Sequence, residues 1–405
     1  MRVRVPASRS VAQDELLLSA LADGRSHLDL GGLDPGDDVR AMREAVAALG
    51  CEVEGGPAGV VRVSGGAPSS RERAIDVGDA RTVAVPMAAL AATRSGRTRI
   101  DGSERLRWLP IGPLVHALRK LGAEVEGDSL PLTVSGPLRG GHVEVTGPGA
   151  QGAAIALLLI APATERGIEL RIAGSAVSDR LLERVVRSLE DRAVKVERGE
   201  MPTTFWIAPQ RVKARDVAVP GDVAAASYPA AAAAILGGRA TIENLDTHAR
   251  SDAQDDERVF RVLEAMGCRV SRYSGGITVR RAGTLYGIRD NVRDLTDAFP
   301  LLAVVAACAQ GRSEVLGARR TDGEGVAAVV AGLQALGADV TEYADGIAID
   351  PAPLHGGVVD AAGDARVAMA FAILGLQVQD VAIEGSEAVS KAYPDFWTMV
   401  RALAG

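Results

Sequence analysis

The chain has 405 residues, a formal net charge of −7 and only 3% aromatic residues. This length is sufficient for two domains or one large one, with cores built from small aliphatic side chains. The acidic balance excludes a nucleic-acid scaffold, because no basic face is available to neutralise phosphates, and the longest apolar run, Ala153 to Ala161, is too short to cross a bilayer.

The three cysteines, Cys51, Cys268 and Cys308, lie far apart in the sequence. No CxxC or HxxxH spacing accompanies them, so we expect buried thiols and neither a metal site nor another cofactor. The first residues contain no apolar signal region. We therefore expect a cytoplasmic protein, and we expect a monomer that binds neither nucleic acid nor membrane.

The first predicted element is a strand that leads into a loop and then into an apolar helix. The loop contains Ser8, Arg9 and Ser10, and the helix runs from about Glu15 to Gly24. Backbone N–H groups at a helix N-terminus, beside a guanidinium, form an anion site. Polar residues in front of a helix also act as N-caps, so this stretch alone is compatible with either role.

The same pattern, an apolar helix that ends at glycine before a short strand, recurs along the chain. The terminal glycines are spaced by about 70 residues, a long period for one supersecondary unit. The copies span residues 16–24, 86–96, 154–167, 228–238 and 299–311, with a sixth at 367–374. Each copy predicts the order strand, helix, strand, helix, strand, strand.

Six such units predict two lobes of three. We place the junctions near residues 8–10 and 219–222, so that residues 1–8 plus 220–405 form one discontinuous lobe and residues 9–219 form the other. The chain would then cross between the lobes twice and leave a cleft. A solenoid is the alternative, but solenoid repeats are usually about 20–50 residues long.

An acidic residue precedes four of the long apolar helices. Asp79, Asp222 and Asp364 each follow a glycine, and Asp297 follows a threonine. If these helix N-termini face one cleft, their dipoles favour an anionic ligand there. An N-cap is the simpler role for most of these residues.

Together these features resemble the 5-enolpyruvylshikimate-3-phosphate synthase (EPSP synthase) family. The resemblance is carried by the six units, the Pro-x-Ser-x-Ser loop at 6–10, the run Ser-Lys-Ala-Tyr-Pro-Asp-Phe-Trp at 390–397, and the stretches 33–42, 110–112 and 364–369. It implies a mixed α/β fold of two lobes, each built from three βαβαββ units as an inside-out barrel or α/β prism. It also implies transfer of the enolpyruvyl group of phosphoenolpyruvate to the 5-hydroxyl of shikimate 3-phosphate, without metal or organic cofactor.

Several positions differ from the pattern of that family. Arg9 replaces a loop lysine, Asp14 replaces the arginine that binds the shikimate carboxylate, and Asp79 replaces an asparagine. Further ligands are replaced by Val85, Leu109, Thr321 and Gly325, and by Ala150-Gln151-Gly152 in the phosphate-binding run. A hydrogen bond to a charged group contributes about 1.5–3 kcal/mol, so these changes weaken the binding of phosphorylated substrates.

Other positions match the family. Asp297 and Lys391 correspond to its proton-transfer carboxylate and its catalytic ammonium, and we assign them, together with Arg9, as catalytic. The residues that we assign to substrate binding are Ser10, Asp14, Asp79, Arg81, Thr82, Ser178, Thr321, Asp322 and Arg366.

Three functions remain open. We place first a diverged enzyme of specialised metabolism that acts on a shikimate-like ring by proton transfer and elimination, as a dehydratase or lyase, because the acid–base pair is kept while phosphate ligands are lost. The alternative is enolpyruvyl transfer from phosphoenolpyruvate to shikimate 3-phosphate or another hydroxyl acceptor. The third is a non-catalytic binding homologue.

Overall fold

A computed structural model describes residues 1–56, 58–65, 72–174, 179–246, 258–318 and 323–404. The strands are β1 (Arg2–Arg4), β2 (Arg25–Asp29), β3 (Glu52–Glu54), β4 (Val60–Ser64), β5 (Arg73–Asp76), β6 (Gly96–Asp101), β7 (Glu124–Glu126), β8 (Leu132–Gly136), β9 (Gly141–Val145), β10 (Ile168–Ile172), β11 (Glu197–Arg198), β12 (Thr204–Ile207), β13 (Asp216–Ala218), β14 (Arg239–Glu243), β15 (Cys268–Tyr273), β16 (Gly276–Arg281), β17 (Arg289–Asn291), β18 (Ser313–Leu316), β19 (Asp339–Tyr343), β20 (Gly346–Asp350), β21 (Gly357–Asp360) and β22 (Val381–Glu384). The helices are α1 (Arg9–Leu21), α2 (Asp37–Ala48), α3 (Arg81–Ala92), α4 (Gly112–Lys120), α5 (Ala150–Ile160), α6 (Asp179–Glu190), α7 (Val223–Leu236), α8 (Arg258–Ala265), α9 (Phe299–Ala307), α10 (Gly323–Ala335), α11 (Ala365–Leu374), α12 (Val389–Ala392) and α13 (Phe396–Ala404).

The chain divides into two compact units. Unit 1 comprises Met1–Ser8 and Pro220–Gly405, and unit 2 comprises Arg9–Val219. Across the part of the chain that the structure describes, no helix is both long and apolar enough to span a membrane.

Unit 2 contains three four-stranded sheets of the same design. Their strand orders are β13-β2-β4-β3, β5-β6-β8-β7 and β11-β12-β10-β9. In the second sheet, β5 pairs parallel to β6, while β8 pairs antiparallel to both β6 and β7. The parallel pair requires a crossover, which α3 supplies, and the antiparallel pair β7–β8 needs only a tight turn. The order of strands and helices along each repeated unit thus determines how its strands are connected.

Unit 1 repeats this design twice and then departs from it. The sheets β1-β14-β16-β15 and β17-β18-β20-β19 have four strands, whereas in the last sheet the described residues form two, β21 and β22, paired in parallel. The residues after β22 fold into α12 and α13 instead of a hairpin. In α13 the buried Phe396 and Met399 are spaced at one helical turn, so this segment has helical rather than strand periodicity.

Each unit is organised around three inner helices that pack on one another. They are α1, α3 and α5 in unit 2, and α7, α9 and α11 in unit 1. Of these helices, α5, α7 and α9 are apolar on nearly every side, which is typical of helices buried in a core. Their alanines allow close approach of neighbouring helices, and this explains how a chain with 3% aromatic residues fills two cores.

The start of α5 provides a test of local packing. Gly149 has φ of +85°, and a Cβ added there would lie 1.9 Å from the carbonyl oxygen of Pro110. Gly147 has a similar φ of +81°, but an added Cβ would meet nothing within 4 Å. Replacement of Gly147 by alanine therefore introduces only backbone strain of about 1–2 kcal/mol. We expect Gly149→Ala to destabilise unit 2 by about 2 kcal/mol more, because backbone must move. Urea unfolding of the two variants measures this difference, and equal destabilisation would refute it.

Candidate functional site

In unit 1 an aspartate stands before each of the three inner helices. The Asp222 carboxylate accepts a hydrogen bond from the backbone N–H of Ala225 at 2.9 Å, which caps α7. The Asp364 carboxylate accepts one from the backbone N–H of Arg366 at 2.8 Å, which caps α11. Asp297 lies in the 3₁₀ turn Arg293–Ala298, immediately before α9. The helix dipoles stabilise negative charge at all three positions.

Arg366 joins two of these carboxylates. Its Nη1 donates to Oδ1 of Asp297 at 2.8 Å, while its Nε and Nη2 donate to the Asp364 carboxylate at 3.0 and 2.5 Å. The Asp297 side chain remains 66% exposed, whereas Asp364 is 21% exposed. The structure therefore brings together Asp297 and Arg366, two of the residues assigned from the sequence, and it adds Asp364, which we had treated as a cap. We call these three residues the Arg366 cluster.

The two carboxylates of the Arg366 cluster differ in their surroundings. Burial acts to raise the pKa of Asp364, but the hydrogen bonds and the charge of Arg366 outweigh it and hold that pKa below its usual range. Asp364 is thus a fixed anion that orients the guanidinium. Asp297 has Arg366 on one side and solvent on the other, so its carboxylate is the one that a ligand can reach.

Lys391 lies in α12, which packs against α11, the helix whose first turn carries Arg366. The described residues include the backbone of Lys391 but not the position of its side chain. Its assignment as the catalytic ammonium therefore stays a prediction.

In unit 2 a polar network connects the N-terminal ends of three helices. Arg9 of α1 lies 3.6 Å from the carboxylate of Asp38 in α2, and the Thr82 hydroxyl of α3 donates to that carboxylate at 3.0 Å. The Gln13 amide donates to the Thr82 hydroxyl at 2.8 Å. The structure thus brings Arg9 and Thr82 to the same carboxylate, that of Asp38. It also adds Asp38 and Gln13, which the sequence-based assignment missed, although Asp38 lies within the signature-like stretch 33–42.

The structure does not place Asp14 in that network. Asp14 is only 8% exposed, and its carboxylate lies 2.9 Å from Nη2 of Arg184 on α6. The acidic residue at this position therefore forms a buried ion pair inside unit 2. The sequence had indicated a charge reversal at a ligand position, but it gave no indication of the arginine that balances it.

Burial changes the titration of this carboxyl. It raises the pKa of Asp14 from 3.8 to about 6, with Arg184 opposing the change and Glu15 adding to it. As pH falls, the native state takes up this proton before the unfolded state does. The stability that this group contributes therefore grows as pH falls through about 6 and is lost as pH rises through that value.

We expect this linkage to appear in a pH series. Between about pH 7.5 and about pH 5, the unfolding free energy of the parent should rise by about 1 kcal/mol relative to Asp14→Asn. The control is Asp191→Asn, which removes a carboxylate whose side chain is 60% exposed, so that the effect of removing a buried carboxylate is separated from that of removing an exposed one. A constant difference between the parent and Asp14→Asn across the series would contradict the assignment.

The remaining assigned residues are distributed as follows. Ser10 lies in the first turn of α1, and Asp79 and Arg81 lie at the start of α3; all three are exposed. Ser178, Thr321 and Asp322 fall outside the described residues.

The cysteines offer no reactive thiol in this structure. Cys51 and Cys268 are buried and Cys308 is partly buried. Burial raises the pKa of the Cys268 thiol to about 11 and of the Cys308 thiol to about 12, with Arg281 opposing both shifts. Among the residues described, no group of three or more His, Cys, Asp or Glu side chains is arranged to hold a metal ion.

The architecture built from these units is the EPSP synthase fold. Solved structures of EPSP synthase from Acinetobacter baumannii superimpose with a TM-score of 0.84, covering 100% of this chain and 95% of the other at 23% sequence identity. The mixed α/β fold class that the sequence predicts is therefore confirmed.

The chain belongs to the EPSP synthase family. The model of that family, described as EPSP synthase (3-phosphoshikimate 1-carboxyvinyltransferase), matches residues 1–400. Relatives named 3-phosphoshikimate 1-carboxyvinyltransferase include those of Methanosphaerula palustris, 37% identical over 98% of this chain and 95% of the relative, and Thermococcus kodakarensis, 35% identical over 99% and 96%. The relative from Methanothermobacter thermautotrophicus is 34% identical over 97% of this chain and 93% of the relative. The resemblance drawn from sequence motifs is thus confirmed.

Proposed function

We propose that this protein transfers the enolpyruvyl group of phosphoenolpyruvate to a hydroxyl of shikimate 3-phosphate. The observation that carries this proposal is membership of the family over the whole chain, with relatives of this named activity at 30–37% identity. Transfer was the alternative in the sequence analysis. The comparisons support it, and they give no support to the elimination that we placed first.

The chemistry sets the requirements for the site. The acceptor hydroxyl loses its proton, and the hydroxyl oxygen forms a bond to the central carbon of phosphoenolpyruvate. That carbon then releases inorganic phosphate. The two products are an enol ether and phosphate. The site therefore needs a general acid–base group next to a cation that binds the anionic phosphoenolpyruvate.

The Arg366 cluster meets these requirements in unit 1. Asp297 is exposed and lies 2.8 Å from a guanidinium that can bind a carboxylate or phosphate. Arg9, whose side chain is 41% exposed, supplies a second cation in unit 2. We propose Asp297, Lys391 and Arg9 as catalytic residues and Arg366, Ser10, Arg81 and Thr82 as substrate ligands.

An assay of phosphate release tests this function. The protein is incubated with phosphoenolpyruvate alone, with shikimate 3-phosphate, and with shikimate. We expect phosphate release that requires shikimate 3-phosphate and matches enol ether formed mole for mole. Absence of release with either acceptor, together with no calorimetric binding of phosphoenolpyruvate, would refute the proposal and favour a non-catalytic binding homologue.

Elimination from a shikimate-like ring is the second candidate. The observation that favours it is that Asp297 is kept and lies 2.8 Å from Arg366, whereas phosphate ligands that the resemblance implies are replaced by Leu109, Thr321 and Gly325. Incubation of shikimate, its phosphate and its thioester without phosphoenolpyruvate tests this candidate, which requires a product lighter by one water. Unchanged substrates would exclude it.

A further inference from the structure

The outer face of the first sheet of unit 1, with strand order β1-β14-β16-β15, carries five exposed arginines. Arg239 of β14 lies opposite Arg280 of β16, which in turn lies opposite Arg269 of β15. Because residues paired across a sheet share a face, these three side chains form a row, and two arginines of β1 lie beside it. The sequence alone showed no basic face, because strand pairing is what brings these distant residues together. We call this set the arginine face, and its members are Arg2, Arg4, Arg239, Arg269 and Arg280.

The positive charge of the arginine face is not balanced within its own sheet. Glu243 is the only acidic residue in the four strands, and its carboxylate lies 3.9 Å from Arg2. Among the residues that the structure describes, the other four arginines form no ion pair. Like charges that lie directly opposite one another destabilise a sheet. The row of three arginines therefore lowers the stability of this sheet.

The other four-stranded sheets balance their arginines. In each of them an arginine of one strand forms an ion pair with a carboxylate of another strand of the same sheet, at an N–O distance between 3.0 and 3.4 Å. These pairs are Arg25–Glu52, Arg97–Glu126, Arg171–Glu144 and Arg289–Glu314. The general use of arginine as a cation in this chain thus does not account for the arginine face. Its charge is complementary to an anion that comes from outside the chain.

A cavity of about 540 Å³ opens on this face. Its volume lies within the range of about 300–1,000 Å³ that is typical of small-molecule sites. The hydroxyls of Thr241 and Thr278 lie 3.4 Å apart in it, and hydroxyl and guanidinium groups both donate hydrogen bonds to phosphate oxygens. The cavity lining includes Arg2, Arg239, Thr241, Glu243, Tyr273 and Thr278.

The Tyr273 ring forms a fixed wall of this cavity. It lies across Gly276, where an added Cβ would come within 2.4 Å of the tyrosine oxygen. The Tyr273 hydroxyl also donates to the backbone carbonyl oxygen of Ile242 at 3.3 Å. The residue is still 41% exposed. The cavity is therefore bounded by a held aromatic side chain before any ligand arrives, which reduces the entropy lost on binding.

We propose that the arginine face binds a small soluble anion with at least two linked phosphates. Neighbouring strands lie about 4.8 Å apart, so the row Arg239–Arg280–Arg269 extends over about 10 Å. Three long side chains on such a row can converge on one short phosphate chain, and guanidinium groups match phosphate geometry. This site goes beyond the proposed function and does not depend on turnover of phosphoenolpyruvate.

A long polyanion such as nucleic acid matches this face less well. The chain carries a formal net charge of −7, so a strand that continues beyond the arginine face would be repelled by the rest of the protein. Glu243 also places a carboxylate in the lining of the cavity. The face is therefore suited to a compact ligand.

Calorimetric titration of the full chain with inorganic triphosphate tests the proposal. We expect Arg280→Thr, which removes the central cation of the row, to weaken triphosphate binding at least tenfold, because a hydrogen bond to a charged group is lost. Inorganic orthophosphate should bind the parent at least tenfold more weakly than triphosphate. Equal affinity of the parent and Arg280→Thr for triphosphate would overturn the proposal, as would equal affinity of the parent for the two anions.

Urea unfolding checks that the variant is folded. Arg280→Thr should be at least as stable as the parent, because it relieves repulsion between opposed arginines and threonine suits a strand. Arg269→Gln removes a cation from the end of the same row and provides a second variant. It should also weaken triphosphate binding, and unchanged binding in a folded Arg269→Gln would contradict the role of the row.

Arg97→Thr is the matched control. It removes the same charge from a strand of another sheet, where Arg97 is 50% exposed and pairs with Glu126. We expect its affinity for triphosphate to stay within about twofold of the parent, because exposed charges at a distance are screened by salt. An equal loss in Arg97→Thr and Arg280→Thr would mean general charge attraction and would overturn the proposal.

Two further arms identify the site and the ligand. Triphosphate binding should persist in Arg366→Gln, and its loss there with retention in Arg280→Thr would assign the anion to the Arg366 cluster and overturn the proposal. A single-stranded oligonucleotide should bind more weakly than triphosphate. If it bound more tightly and lost affinity in Arg280→Thr, the partner would be a nucleic acid and the proposal would be wrong. Arg280→Thr should retain the kcat of the parent, whatever that activity is.

Discussion

Replacement of Asp297 by asparagine is expected to lower kcat by about 10³-fold, the middle of the range for a general acid–base group. Asparagine has nearly the same shape and can still accept a hydrogen bond from Arg366, but it cannot take up a proton. KM for phosphoenolpyruvate should change little, because the guanidinium of Arg366 remains held by Asp364. The phosphate-release assay measures both constants.

The control for this variant is Asp222→Asn. Asp222 occupies the equivalent position before α7 and caps that helix through Ala225, and asparagine is an equally good N-cap. We expect the kcat of Asp222→Asn to stay within about threefold of the parent value, because the substitution removes only the charge of the Asp222 side chain, which lies at a distance from Asp297. Activity of Asp297→Asn within tenfold of the parent would show that Asp297 is not the proton-transfer group.

Replacement of Arg192 by methionine is expected to destabilise unit 2 by about 3–5 kcal/mol. Arg192 is fully buried and donates to Glu15 at 3.1 and 2.6 Å, to Ser19 at 2.9 Å and to Ser26 at 3.2 Å. Its removal leaves the Glu15 carboxylate buried at 3% exposure without a counter-charge. Urea unfolding measures the loss.

The exposed pair Arg215–Asp191 is the control for the buried one. Its N–O distance is also 2.6 Å, but the two side chains are 32% and 60% exposed. Arg215→Met should therefore destabilise the protein by at most about 1 kcal/mol. The double variant Glu15→Gln with Arg192→Met should recover part of the loss, because no buried charge remains. If Arg192→Met were no more destabilising than Arg215→Met, the burial of the Glu15–Arg192 pair would not contribute as we describe.

The repeats allowed most of the fold to be predicted. Each copy encodes its own helix, C-terminal glycine and hairpin, so local chemistry repeated along the chain is sufficient to predict the units. The shorter final copy was not predicted, because the run 390–397 was used as a family motif and the helical periodicity of the segment Phe396–Ala404 was not considered.

Contacts within the candidate site could be predicted only between residues that occupy equivalent positions in the repeated units. Asp297 and Arg366 stand at the starts of equivalent helices, and so their proximity follows from the repeat. The pairs Asp14–Arg184 and Glu15–Arg192 join α1 to residues more than 150 positions away, and no local pattern reveals such partners. For the same reason Asp14 was read from the sequence as a charge reversal, whereas the structure pairs it with Arg184.

The most direct test of enolpyruvyl transfer follows one labelled carbon. Phosphoenolpyruvate labelled with carbon-13 at its central carbon is incubated with the protein and shikimate 3-phosphate, and the products are observed by NMR. Transfer predicts that the label appears in an enol ether bonded to the acceptor, with one phosphate released for each label transferred. If the label stays in phosphoenolpyruvate while the shikimate ring loses water, the protein catalyses elimination and our account of its function is wrong.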